Sequence, residues 1–368
     1  MCILWTRRSR TFFPESSVDI LSRRNNKRME CPNSDGGKPM NPLWGLNEPQ
    51  ITTLDCTIRD GGLVNDHYFS YEFVRAVYEA NVAAGVEYME IGYKNSDRLF
   101  PRDANGPWKF CDEEDIRKVV GDKPSPTTKL SCMIDAAKSD WKTAVLPKRD
   151  SVLSMIRVAF YDYQTDEAVD MIEDAYEKGY EVSANLMAIT TVDDKSLEVV
   201  LERIGKTHAN IIVIVDSFGT MTPSLTRHLL YKYLESARES GKSVGIHAHN
   251  NMQLAFANTF LAAEHGATLL DASIGGLGRG AGNCQMELLL PVLKGKNYKV
   301  RPIVECLEKE FVPLRRKLDW GPSPEYMITA QHNVHPRAAI KARKSLETRD
   351  KYVQFFDQLA AECQDGQK

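Results

Sequence analysis

Between Ile51 and Ile274 the chain switches eight times between a short β-branched run and a longer segment of different periodicity, and this alternation restricts the fold more than any other feature. The expected strands are Ile51–Thr57, Tyr88–Tyr93, Lys129–Ile134, Ser154–Ala159, Glu181–Met187, Ile211–Asp216, Val244–His249 and Leu269–Ile274. Between them Tyr71–Ala84, Asp166–Lys178, Lys195–Lys206, Thr222–Ser240 and Met252–His265 repeat apolar residues at helical spacing. Pro223 occupies a first helical position after Thr222, and Gly85, Gly179 and Gly266 stand where a helix ends in a left-handed residue. Strictly alternating units imply parallel strands joined by right-handed crossovers. A doubly wound sheet is the competing arrangement, but no G-x-G-x-x-G follows the first strand. The expected fold class is therefore α/β, a (β/α)₈ (TIM) barrel over residues 49–297 with a short, mainly helical extension over 298–368.

Residues 1–48 read differently. Arg7, Arg8, Arg10, Arg23, Arg24, Lys27 and Arg28 are interspersed with Pro and Ser, and no periodic apolar pattern appears. The expectation is a disordered basic extension, with Met29 or Met40 as alternative starts. Import into an organelle through this segment is the competing reading. The formal net charge of −3 gives no general attraction to nucleic acid or to an anionic membrane. No apolar run approaches the length needed to span a bilayer. The eight cysteines never form a C-x-x-C pair, and Cys56 and Cys132 lie in apolar runs, as buried thiols of a cytoplasmic protein would.

In a barrel of this kind the polar residues at the C-terminal ends of the strands carry the chemistry. The first strand runs into Arg59-Asp60-Gly61-Gly62, the seventh into His247-Ala248-His249-Asn250, and the segment after the eighth reads Gly278-Arg279-Gly280-Ala281-Gly282-Asn283. Side chains two apart on a strand share a side, so His247 and His249 present their imidazoles together. Strands 7, 8 and 1 are consecutive around a closed barrel, which lets Asp60 and Asn283 converge on them. Two imidazoles, a carboxylate and an amide form a mixed shell that suits Mn²⁺, Mg²⁺, Co²⁺ or Zn²⁺.

The run Leu54-Asp55-Cys56-Thr57-Ile58-Arg59-Asp60-Gly61, with His247-Ala248-His249-Asn250 and Gly280-Ala281-Gly282-Asn283, resembles the signature of the DRE-TIM metallolyase superfamily. The resemblance covers roughly Gln50 to Lys296 and points most closely to its 4-hydroxy-2-oxovalerate aldolase branch. It implies that Asp60, His247 and His249 ligate a divalent cation, with Asn283 joining in some members. It also implies that Arg59 contacts the carbonyl or enolate oxygen and that Glu90 lies near the reacting carbon. A dimer, a dehydrogenase partner and a 2-oxo acid substrate giving pyruvate are further implications of the same resemblance.

The chain departs from the pattern in two places. The lyases of hydroxymethylglutaryl-CoA carry a cysteine before the asparagine, whereas here Cys284 follows Asn283. The aldolases place a histidine base three residues after the metal aspartate, and here that residue is Leu63. His67, Glu90 or a metal-bound hydroxide stand as alternatives for the base, while Lys94, Asp216 and Arg279 are expected to bind substrate. The expected activity is a class II aldolase or lyase acting on a 4-hydroxy-2-oxo acid. A Claisen-type acyltransferase using acetyl-CoA, and a non-catalytic metal-binding barrel, are the competing readings.

Overall fold

A computed structural model describes residues 46, 48, 50–345 and 347–365. The expectation for the basic N-terminal segment lies almost wholly outside these residues. Eight parallel strands, β1 (Thr52–Asp55), β2 (Tyr88–Tyr93), β3 (Lys129–Asp135), β4 (Met155–Phe160), β5 (Glu181–Leu186), β6 (Ile211–Asp216), β7 (Ser243–Ala248) and β8 (Leu269–Ala272), close into a barrel in chain order. The α/β barrel read from the alternation is the fold that forms. β1 pairs with β8 over four residues, from Thr52 opposite Leu269 to Asp55 opposite Ala272, and so seals the cylinder.

Local chemistry sets the helix ends. Thr222 caps helix Pro223–Ser240 by accepting a hydrogen bond from the Leu225 amide, with Pro223 at the first position. Helix Tyr71–Ala84 begins at Ser70, whose hydroxyl accepts from the Phe73 amide, and ends at Gly85 with φ 84°. The largest expected strand to shorten is the first. It stops at Asp55 because the Asp55 carboxylate accepts the Thr57 amide and the Cys56 carbonyl accepts the Asp60 amide, starting a helix over Thr57–Gly61. Arg59 and Asp60 therefore project from a helical turn and not from a strand.

Two apolar layers surround the strands. Leu54, Tyr88, Met155, Val213 and Leu269 fill part of the barrel interior. A larger core lies between the strands and the outer helices, and it includes Ile303, Cys306, Phe311 and Trp320 from the C-terminal extension. The start of that extension is thus a piece of the barrel's outer layer, tied to helix Tyr71–Ala84 by the Lys299 amide donating to Ala84 O at 2.9 Å. Its later helices, Pro324–Gln331, Arg337–Lys344 and Tyr352–Asp365, share a separate small core with Ala281 of the segment after β8. The turn after Gln331 closes over the barrel mouth: Asn333 accepts from the Thr190 and Thr220 hydroxyls at 2.7 and 3.1 Å. Among the described residues no helix is long and apolar enough to cross a membrane.

Candidate active site

Asp60, His247 and His249 each offer a ligand atom, and the three atoms lie within 4.8 Å of one another. All three residues are buried. His249 Nδ1 donates to the Asp216 carbonyl at 3.0 Å, which fixes the tautomer and leaves the Nε2 lone pair facing Asp60 Oδ2 at 3.5 Å. His247 Nδ1 lies 3.1 Å from Asp271 Oδ2, off the line of a good hydrogen bond but close enough for the carboxylate to hold the ring proton on that nitrogen. Nε2 of both rings and the amide oxygen of Asn283 are sealed from solvent with no hydrogen-bond partner among the described residues. Orphaned acceptors are rare in a protein interior. Three of them around one carboxylate fit a cation site. The Asn283 amide nitrogen is already engaged, donating to Asp60 Oδ2 at 2.9 Å, so its free oxygen is the atom left to bind.

Burial pushes the His247 imidazolium down to about 4 and lowers His249 in the same way, so both rings are neutral ligands near pH 7. Burial would raise the Asp60 carboxyl, but the adjacent His249 and Arg59 outweigh it and hold the group well below the usual carboxylate range. Gly278 makes this geometry possible, since a Cβ there would stand 2.3 Å from Asn283 Nδ2 and 2.4 Å from Asp60 Oδ2.

Arg59 is the second element of the site. Its Nε donates to Glu90 Oε2 at 2.6 Å and its Nη1 to Asp60 Oδ1 at 2.8 Å, so the guanidinium is fixed in plane beside the ligand cluster. Glu90 is gripped from the other side by Arg157 Nη1 at 3.1 Å, and Arg157 Nη2 reaches Asp271 Oδ2 at 2.8 Å. A chain of charge, Asp60–Arg59–Glu90–Arg157–Asp271, therefore runs beneath the mouth and ends against His247. Three guanidinium groups, of Arg59, Arg157 and Arg279, face three carboxyl groups, of Asp60, Glu90 and Asp271, so a divalent cation leaves the site positive and suited to an anion.

These groups surround a small cavity of about 60 Å³ at the C-terminal ends of the strands. Arg59, Asp60, His247, His249 and Arg279 line it, as do the phenols of Tyr93 and Tyr161. Leu63, Met133, Met187 and Val215 supply apolar wall. Arg279 reaches across the mouth: Nη2 donates to Ser217 O at 2.7 Å, Nη1 to His335 Nε2 at 3.3 Å, and the buried Nε has no partner among the described residues.

Four residues expected at the site stand elsewhere around it. Glu90 lies under the cavity as the partner of two arginines, without lining it. Lys94 turns away and donates to Cys111 O at 2.7 Å, where it satisfies a buried carbonyl and does not line the cavity. The Asp216 carboxyl accepts the Thr220 and Met221 amides and shapes the loop after β6, while its backbone carbonyl orients His249. His67 is buried edge-on against Tyr93, ring centroids 5.4 Å apart, because Asp66 and His67 both take left-handed backbone with φ 52° and 64°. Neither of its ring nitrogens has a hydrogen-bond partner among the described residues.

Arg157 and Asp271 were not among the expected site residues. Each interrupts an apolar strand, Met155-Ile156-Arg157-Val158 and Leu269-Leu270-Asp271-Ala272, in phase with interior residues two positions earlier. That phase, together with the cost of burying an unpaired charge, was the available signal.

A closed barrel with a buried Asp–His–His cluster and a fixed arginine at its C-terminal mouth defines a metal-dependent lyase. The chain belongs to the HMGL-like family, whose model matches residues 50–306. It is 32% identical over 246 residues to an oxaloacetate decarboxylase of Mycobacterium tuberculosis, covering 67% of this chain and 70% of the relative. A 4-hydroxy-2-oxovalerate aldolase of Geobacillus genomosp. 3 is 30% identical over 243 residues, covering 66% and 70%. Among solved structures, an N-terminal domain assigned as an aldolase from Bacteroides vulgatus superposes with a TM-score of 0.68 at 27% identity, over 81% of this chain and 98% of that one. The protein is an enzyme acting on carbon–carbon bonds, within the superfamily its motifs resemble.

Proposed function

We propose that the protein cleaves the C3–C4 bond of a short 2-oxo acid and leaves a pyruvate-type enolate. The observation that carries this reading is Arg59 held in the same cavity as the Asp60, His247 and His249 cluster. A divalent cation bound by those three residues, with Asn283 as a further donor, would polarise the 2-oxo group and offset the enolate charge. Arg59 supplies a fixed donor for the developing oxyanion, because Glu90 and Asp60 occupy only its Nε and Nη1. Arg279, whose Nε has no hydrogen-bond partner among the described residues, offers the second cationic contact for a carboxylate. The small cavity favours a substrate of few heavy atoms over an acyl-CoA thioester in the mouth.

Two leaving groups fit this scheme. An aldol cleavage of a 4-hydroxy-2-oxo acid needs a base to take the hydroxyl proton, whereas loss of CO₂ from an oxaloacetate-like acid needs none. Leu63 lines the cavity where the aldolase pattern has its histidine, and His67 does not reach it. That apolar wall favours decarboxylation, with aldol cleavage as the second reading. The test is pyruvate release by the metal-loaded full chain from oxaloacetate and from 4-hydroxy-2-oxovalerate. Asp60→Ala at equal free metal serves as the background. Release from oxaloacetate well above that background is expected, and the aldol substrate should be slower. Pyruvate release no faster than that background from both substrates would remove the proposal.

A further inference from the structure

An enolate left by C3–C4 cleavage must gain a proton at C3 before pyruvate can leave, and the cavity holds few groups able to give one. The arginines of the wall stay charged, and Asp60, His247 and His249 are committed as ligands. Glu90 and His67 do not line the cavity. The remaining ionisable side chains on its wall are two phenols, Tyr93 and Tyr161.

Their surroundings differ. Tyr93 closes β2, is buried, and makes no hydrogen bond through its hydroxyl with any described residue. The Arg59 guanidinium carbon stands 6.0 Å from its ring centroid and the Lys109 ammonium 5.0 Å. Lys109 is itself buried and also lies over Phe100, 4.2 Å from that ring. His67 packs edge-on against the same ring and fixes its plane. Tyr161 instead stacks on the exposed Tyr163 at the outer rim, with ring centroids 5.5 Å apart.

We infer that Tyr93 is the proton donor to C3, a catalytic residue of the lyase reaction set out above, on which this inference rests. When the C3–C4 bond breaks, its electron pair remains on the enolate. C3 then takes the proton from the Tyr93 hydroxyl, which forms the C–H bond and leaves a phenolate. Water restores that proton. The cations of Arg59 and Lys109 stabilise the transient phenolate through space, and no oxidant or further reactant is needed. Burial pushes the phenol above its ordinary value, so the group is loaded with its proton at neutral pH.

The experiment follows exchange of the pyruvate methyl protons in D₂O by ¹H NMR, with the full chain loaded with Mg²⁺. Exchange needs only enolisation and C3 protonation and is blind to the leaving group. Tyr93→Phe should slow it on the order of 100-fold or more. Mg²⁺ content and affinity for oxalate, an enolate mimic, should remain within about threefold in the same variant, as the effect of a donor lost from an intact site. Tyr163→Phe, exposed and outside the cavity, should exchange like the parent. If Tyr93→Phe exchanges within threefold of the parent, the donor role is refuted while the lyase reading stands. If the parent itself exchanges no protons, the lyase reading falls and the donor role with it.

Discussion

Arg157 Nη2 and Asp271 Oδ2 stand 2.8 Å apart across the barrel interior, and the same carboxylate oxygen lies 3.1 Å from His247 Nδ1. One oxygen thus links a buried arginine of β4 to a candidate metal ligand of β7. Removing the arginine takes the buried cation from Asp271 and leaves Glu90, its other partner at 3.1 Å, with Arg59 alone. Arg157→Met should destabilise the fold by about 3–5 kcal/mol, the usual effect of breaking a buried pair from one side. Metal affinity should fall about 10- to 100-fold, since the support behind His247 is lost. Thermal unfolding with a metal titration checks both. A stable variant with parental affinity would show the network to be inert.

Asp60→Ala and His247→Ala should each purify with little bound metal, measured by elemental analysis after dialysis against the cation. Arg59→Lys should keep its metal, because Arg59 is not a ligand. Its turnover should nonetheless drop about 100-fold or more, since an ammonium cannot hold the two directional bonds to Glu90 and Asp60 and still face the substrate. Full metal content in both ligand variants would show that the cation sits elsewhere, and near-parental turnover in Arg59→Lys would remove its oxyanion role.

A methyl group on Gly278 tests the geometry without replacing any ligand. Its Cβ would stand within 2.4 Å of Asp60 Oδ2 and closer still to Asn283 Nδ2, so the segment after β8 must shift away from β1. Gly278→Ala should lose metal affinity by at least about tenfold while the barrel's unfolding midpoint moves little, because the strain is local. Gly121→Ala provides a contrast outside the site, where no described residue lies within 4 Å of the added Cβ although φ is 75°.

Most of this architecture was legible in the chain. β2 and β6 have the bounds expected from their β-branched runs, because both are buried along their whole length and bounded by helical pattern. The ligand cluster followed from the two-residue spacing of His247 and His249 and from closure of the barrel. What pattern alone did not yield was long-range and tertiary. A left-handed pair at Asp66 and His67 folds a plausible base behind Tyr93. The Cys111 carbonyl takes Lys94 out of the cavity, and both effects depend on contacts that local periodicity does not encode. The role of Asp216 inverted for a similar reason: two loop amides claim its side chain, and its backbone carbonyl serves His249 instead.

The buried imidazole of His247 leads to a pH dependence with a definite sign. Burial lowers its ionisation from an ordinary 6.5 to about 4 in the folded chain. Between those values the unfolded chain holds the additional proton, so stability falls as the pH drops from 6.5 toward 4. Full expression of that shift corresponds to about 3 kcal/mol. Asp216, raised by burial to about 7, acts oppositely over nearly the same range, so the parent's own stability curve mixes the two. The difference between the parent and His247→Gln isolates the imidazole. In chelator-treated protein, the parent should lose about 3 kcal/mol relative to His247→Gln between pH 7 and pH 4, read from urea unfolding at each pH. A difference that stays flat across this range would mean that the folded chain leaves the His247 imidazole at its ordinary ionisation and does not desolvate it.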